Sequence, residues 1–175
     1  MYKRTLLLIL SVLISCSVQA REIAGVHIDE TVVMPGVAET LKLNGTAIRT
    51  KIFIKVYVAA LYVTETSSNS NTLLASTSAK RMMMHMLYNE VEKEKLVKAW
   101  QEGFEKNLSA TEFAAIKPRL ERFNNLFSTM RKHDVALIDY VPGVGTRVTL
   151  RGEEKGVIEG ADFYRVVLSV WIGDK

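Results

Sequence analysis

From position 52 to position 60 every even-numbered residue is apolar (Ile52, Ile54, Val56, Val58, Ala60), whereas the odd set Lys51, Phe53, Lys55, Tyr57, Ala59 and Leu61 is mixed. A period of two belongs to a strand, because successive side chains point to opposite faces of a sheet. One face of this strand is core; the other begins wet and ends dry. A strand of that kind needs partners on either side, and the rest of the chain supplies them.

Upstream, residues 40–43 run into Asn44-Gly45, a dipeptide that accepts the positive backbone angles of a tight hairpin. The spacing predicts a turn there, with residues 44–63 as the return limb. Residues 22–27 and 30–33 are further short extended segments, broken by Pro35-Gly36. Downstream, a Ser/Thr/Asn-rich loop at 64–71 and a short helix at 72–77 precede a strand at 80–89 that contains Met82-Met83-Met84-His85-Met86. Methionine there reads first as adaptable core filling and second as the wall of a pocket for a flexible ligand.

Two helices follow. Leu96, Ala99, Trp100, Gly103 and Phe104 fall at helical spacing, as do Phe113, Ile116, Leu120, Phe123 and Phe127. Ser109-Ala110-Thr111-Glu112 is a capping-box signature for the second, which Pro118 is expected to split. Residues 136–140, 146–151 and 156–159, separated by Pro142-Gly143-Val144-Gly145 and Gly152-Glu153-Glu154-Lys155, predict a three-stranded antiparallel meander. Asp162 opens a last helix with Phe163, Val166, Val167, Val170 and Trp171 on its apolar face, stopped by Gly173. The order strands, helices, strands, helix argues an α+β domain with a mostly antiparallel sheet covered by helices.

The first twenty residues are read apart from this domain. Lys3 and Arg4 form a basic head, residues 6–14 are an apolar run short for a bilayer span, and Val18-Gln19-Ala20 has the form of a peptidase site. The expectation is a signal peptide at 1–20, cleaved after Ala20, and a periplasmic or secreted domain at 21–175. The alternative reading treats Leu13-Ile14-Ser15-Cys16 as a lipobox, with Cys16 the acylated first residue. Cleavage after Ala20 removes the chain's one cysteine, leaving no disulfide, thiol nucleophile or cysteine metal site.

Composition narrows the chemistry. The chain has 23 Lys+Arg against 19 Asp+Glu, and removing Lys3 and Arg4 leaves 21 against 19. Without a cluster of basic residues interleaved with aromatics, nucleic acid is a poor partner. No second apolar run is long enough for a membrane span. His27, His85 and His133 lack metal-ligand spacing, and no nucleophile elbow, phosphate loop or dinucleotide motif is present. The unusual group is Arg49, Lys51, Lys55, Tyr57 and Tyr62. The lysines and tyrosines are satisfied by a sheet rim and a wet hydroxyl, but Arg49 beside a long apolar strand needs solvent or an anion. Arg49 and Tyr57, eight apart, share a face of an unbroken strand, where a guanidinium and a hydroxyl together would hold a carboxylate.

Leu43-Asn44-Gly45-Thr46-Ala47-Ile48-Arg49 followed by Lys55-Val56-Tyr57-Val58-Ala59-Ala60-Leu61-Tyr62 resembles the entrance motif of the chalcone isomerase fold. Residues 96–103, Phe123-Asn124-Asn125-Leu126-Phe127, Asp139-Tyr140-Val141-Pro142-Gly143, Gly145-Thr146, Gly160-Ala161-Asp162-Phe163 and Trp171-Ile172-Gly173-Asp174 are similar to the bacterial, secreted, chalcone isomerase-like branch. The resemblance spans the chain beyond the signal segment. It implies a large antiparallel sheet with helices on one face and a cleft between them. Plant members close a flavonoid ring without a cofactor, using an arginine to stabilise the phenolate; non-enzymatic relatives bind fatty acids through an arginine and a tyrosine. Arg49 matches the shared arginine, and Tyr57 stands where the isomerases carry threonine and the fatty-acid binders tyrosine.

Other departures favour binding over catalysis. The helix that gives the isomerases a tyrosine and an asparagine corresponds to 90–103, which has neither, and Val170 replaces a small hydroxyl residue. The segment between Arg49 and Lys55 is also shorter. The resemblance therefore implies a non-catalytic binder of a small amphipathic molecule such as a fatty acid, held by Arg49 and Tyr57. The alternatives are a cofactor-independent isomerase or lyase acting on a chalcone-like or other enone substrate, and a protein-interaction role with the cleft collapsed.

Overall fold

The computed structural model describes residues 21–173; the expected signal peptide, including Cys16, lies outside the described residues. The chain begins with β1 (Arg21–Ile23) and β2 (Val26–Ile28), a small hairpin, then β3 (Thr31–Val32), β4 (Leu41–Lys51) and β5 (Ile54–Val63). Helix α1 (Ser70–Ala75), β6 (Lys80–Met86) and β7 (Glu90–Val91) lead to the long helices α2 (Lys93–Asn107) and α3 (Ala110–Asn125). After these come β8 (Met130–Arg131), β9 (Val135–Val141), β10 (Gly145–Leu150), β11 (Glu153–Ile158) and α4 (Ala161–Ile172). Seven strands form one sheet in the order β11-β10-β9-β6-β5-β4-β3, with every neighbouring pair antiparallel. The α+β architecture and its antiparallel sheet are those expected.

Both faces of the central strands of this sheet are covered. On the helix side, Tyr57, Ala59, Leu61 and Val63 of β5 and Met82, Met84 and Met86 of β6 pack against Leu96, Trp100 and Phe104 of α2, Phe123 of α3 and Phe163 and Val167 of α4. On the other side, Val58, Ala60 and Tyr62 lie under Val26, Ile28, Met34 and Leu41 from the N-terminal segment. The methionines of β6 are core, as their first reading had it. The odd-numbered face of β5 is therefore dry along most of its length because helices cover it.

Three local expectations change. The hairpin does not turn at Asn44-Gly45: β4 continues to Lys51, and the turn is at Ile52-Phe53, whose φ values are +46° and +65°. The register slips between Leu43 and Gly45, a bulge that places Leu41 and Leu43 on the same face as Ile48, against the N-terminal core. Asn44 is used there as an acceptor, its Oδ1 taking the Ser67 N–H at 2.8 Å. A second slip beside Arg49 turns Val56 from the even-numbered face toward the helix-side core. Finally, α3 runs through Pro118 without splitting. Pro118 and Ala114, whose carbonyl loses its intrahelical partner, are both on the exposed side, where water can solvate that oxygen. The capping box at Ser109 and Glu112 forms as predicted.

Candidate functional site

Arg49 and Tyr57 are direct cross-strand partners on β4 and β5. They share the helix-side face, as expected, but by pairing across a hairpin rather than by lying on one strand. Tyr57 is buried next to the last turn of α4, where Trp171 Nε1 donates to its hydroxyl oxygen at 3.1 Å. Trp171 in turn meets Trp100 of α2 with ring centroids 5.0 Å apart, and Trp100 packs on Phe123 and Phe127. The space beside Tyr57 is thus occupied by an aromatic cluster in this conformation.

Hydrogen-bonding capacity is left over at this place. Trp171 uses the oxygen of Tyr57, and among the described residues no group accepts the hydroxyl proton. Burial pushes the Tyr57 pKa up, more than the Trp171 hydrogen bond and the Arg49 charge pull it down, so the hydroxyl keeps its proton at neutral pH. Arg49 is exposed and forms no ion pair among the described residues. Trp100 Nε1 is buried with no hydrogen-bond partner among them. Arg49 and Tyr57, side by side on neighbouring strands, match an anionic or strongly accepting group.

The adjoining surface is open and lined by small residues. Gly45 pairs with Leu61 and Ala47 with Ala59, so both look to the helix side. A side-chain carbon built on Gly45 would meet nothing within 4 Å, and Ala47 is exposed, so the helices leave the face of β4 uncovered. Arg49 lies two residues further along the same face.

Other sequence candidates fall outside this place. Tyr62 faces the N-terminal core, where burial, with the charge of Asp29, pushes its pKa up to about 12. Lys51 and Lys55 are exposed near the hairpin tip. Val170 fills the α2–α4 contact, since a side-chain carbon on Gly103 would come within 3.0 Å of it. His85 and His133 meet edge to face at 6.0 Å, but no cluster of three metal-ligating side chains exists among the described residues. Two cavities, of about 130 and 430 Å³, open beside α1 and α4, and neither is lined by Arg49 or Tyr57. Trp171 is the site residue that its apolar helix position does not mark; its indole N–H, which needs an acceptor when buried, is the signal that could have found it.

The chalcone isomerase-like family profile matches residues 20–175. The crystal structure of a fatty-acid binding protein from Arabidopsis thaliana superposes with a TM-score of 0.62 at 15% sequence identity, covering 83% of this chain and 90% of that chain. No curated protein matches the chain in sequence.

Proposed function

Because the chain belongs to the chalcone isomerase-like family, we propose that it binds a small amphipathic carboxylate, most simply a fatty acid, whose head group is held by Arg49 and Tyr57. The observation that carries this is the pair itself: a guanidinium without an ion pair among the described residues opposite a protonated, buried hydroxyl whose proton has no acceptor there. The fatty-acid binding of the structurally similar plant protein supports the same reading. The acyl chain would lie between the helix layer and β4–β5, displacing Trp171 from Tyr57. Its burial would supply most of the affinity, about 0.8 kcal/mol per methylene before ordering costs, and the two donors would set its direction. The bound molecule would be met in the periplasm or outside the cell, following the signal-peptide reading of residues 1–20.

An isomerase needs more than an arginine at the developing charge. Position 170, where a hydroxyl would serve, holds a valine packed on Gly103. Native mass spectrometry of the purified chain, followed by denaturing extraction, tests the proposal in wild type, Arg49→Ala and Tyr57→Phe. A stoichiometric acidic lipid is expected, lost in Arg49→Ala and weakened about tenfold in Tyr57→Phe, the size of one hydrogen bond to a charged group. Binding should also change Trp171 fluorescence. Ligand-free spectra that stay empty after fatty acids are added, or turnover of a chalcone that depends on Arg49, would overturn it.

A further inference from the structure

The β4–β5 hairpin ends in a turn made of the wrong residues. Both central positions have φ > 0, which two-residue hairpins normally fill with Asn-Gly or Asp-Gly, yet they are Ile52 and Phe53. A β-branched residue at positive φ is strained, and strain kept at an exposed site points to what the side chains do. Here they face solvent: Phe53 is 97% exposed, Ile52 81% and Ile54 46%. Of the six large apolar side chains exposed among the described residues, these three are consecutive at one tip. A fourth, Tyr88, is tied to the same hairpin close to its tip by its N–H to the Val56 carbonyl at 3.1 Å.

The charges along the hairpin itself have one sign. From residue 40 to residue 64 the chain holds no carboxylate, while Arg49, Lys51 and Lys55 flank the turn, all exposed. We propose that this tip inserts into an anionic lipid surface, with Ile52, Phe53 and Ile54 below the head groups and Arg49, Lys51 and Lys55 among the phosphates. The dimensions agree, since three residues of strand from Ile52 to Arg49 span about 10 Å, the depth to which peripheral apolar elements enter the head-group boundary. An aromatic ring such as Tyr88 suits the level just above. The surface is argued from exposure, turn chemistry and charge, so it stands whether or not Arg49 and Tyr57 hold a carboxylate. If they do, insertion brings the mouth of that site to the membrane.

The test is co-sedimentation of the chain from Arg21 to Lys175 with phosphatidylcholine vesicles made with and without phosphatidylglycerol. The informative variant is Ile52→Asn with Phe53→Gly, which supplies the residues the turn geometry favours and so keeps the fold. Wild type is expected to bind the phosphatidylglycerol vesicles and release them at high salt, and the tip variant to stay in the supernatant. Lys51→Ala with Lys55→Ala should weaken binding by roughly thirtyfold. No wild-type binding, or equal binding by the tip variant, would overturn the proposal. So would sedimentation showing a wild-type dimer that the tip variant abolishes without any vesicle binding, which would assign the tip to a second copy of the chain.

Discussion

Lys80 shows how a single side chain can be forced to report on the fold. It is only 2% exposed, its ammonium donates to the carbonyls of Ser76 at 2.5 Å and Ser78 at 3.0 Å, and it lies 5.4 Å from the centre of the Tyr140 ring. Burial lowers its pKa from 10.5 to about 8. Between those values the unfolded chain holds a proton that the folded chain has released, so stability rises with pH. Tyr57, Tyr62 and Tyr164 act oppositely: burial raises each above 10, so beyond that pH the unfolded state loses protons the folded state keeps, and stability falls. Urea midpoints at about pH 7.5, 9.5 and 11 should therefore pass through a maximum, with a first rise on the order of 1 kcal/mol. Lys80→Met should remove that rise and leave the alkaline fall. A wild-type midpoint that is level from pH 7.5 to 9.5 would mean that the two carbonyls and the ring hold the proton in place.

At the scale of elements, the hairpin of β4 and β5 sets local preference against position. Ile52→Asn with Phe53→Gly gives the turn residues suited to its angles and should raise stability by about 1–2 kcal/mol in urea unfolding, since strained positions of this kind cost about 1–3 kcal/mol each. An unchanged or lower midpoint would show that the tip is held by contacts rather than strained. The same hairpin shows why its turn was not legible in the sequence. Asn44-Gly45 carries the stronger local signal, but turning there would leave residues 46–51 without their partners on β5. Tertiary pairing wins, and the asparagine serves as a bulge that keeps Leu41, Leu43 and Ile48 on one face. The helices were legible because a 3.6-residue apolar period and a capping box are local facts, as at Ser109 and Glu112. Continuity through Pro118 was not, because it depends on which side of α3 meets water. Arg49 and Tyr57 share a face, as an even spacing implies, but not on one strand: a turn and a bulge intervene and restore the parity. Trp171 beside Tyr57 joins residues 114 positions apart, a proximity that no local pattern encodes.

At the scale of the whole molecule, a sheet whose central strands are buried on both faces needs something to fasten its second cover, and Asp139 is placed to do it. Its carboxylate takes two parallel hydrogen bonds from Arg81, both 2.7 Å, and a longer one of 3.3 Å from Arg147, which also donates to the Pro35 carbonyl at 3.0 Å. Neighbouring strands β6, β9 and β10 are thereby joined to the N-terminal segment that carries Ile28 and Met34 into the core. Asp139 and Arg81 are buried, so removing the one negative charge leaves two guanidinium groups close together in a poorly solvated place. Asp139→Asn should then destabilise by about 3–5 kcal/mol, as breaking a buried pair does, and lower the melting temperature by about 10 °C for a domain of this size. Replacing Arg81 and Asp139 together by leucine should cost less than Asp139→Asn alone, because the uncompensated charge goes with the pair. Limited proteolysis separates loss of the fastening from general loosening. If Arg147 works through Pro35, Asp139→Asn should speed cleavage within residues 21–37 before the sheet itself is cut; a variant cut at the same rate everywhere, or as stable as wild type, would leave the N-terminal cover held by its apolar contacts alone.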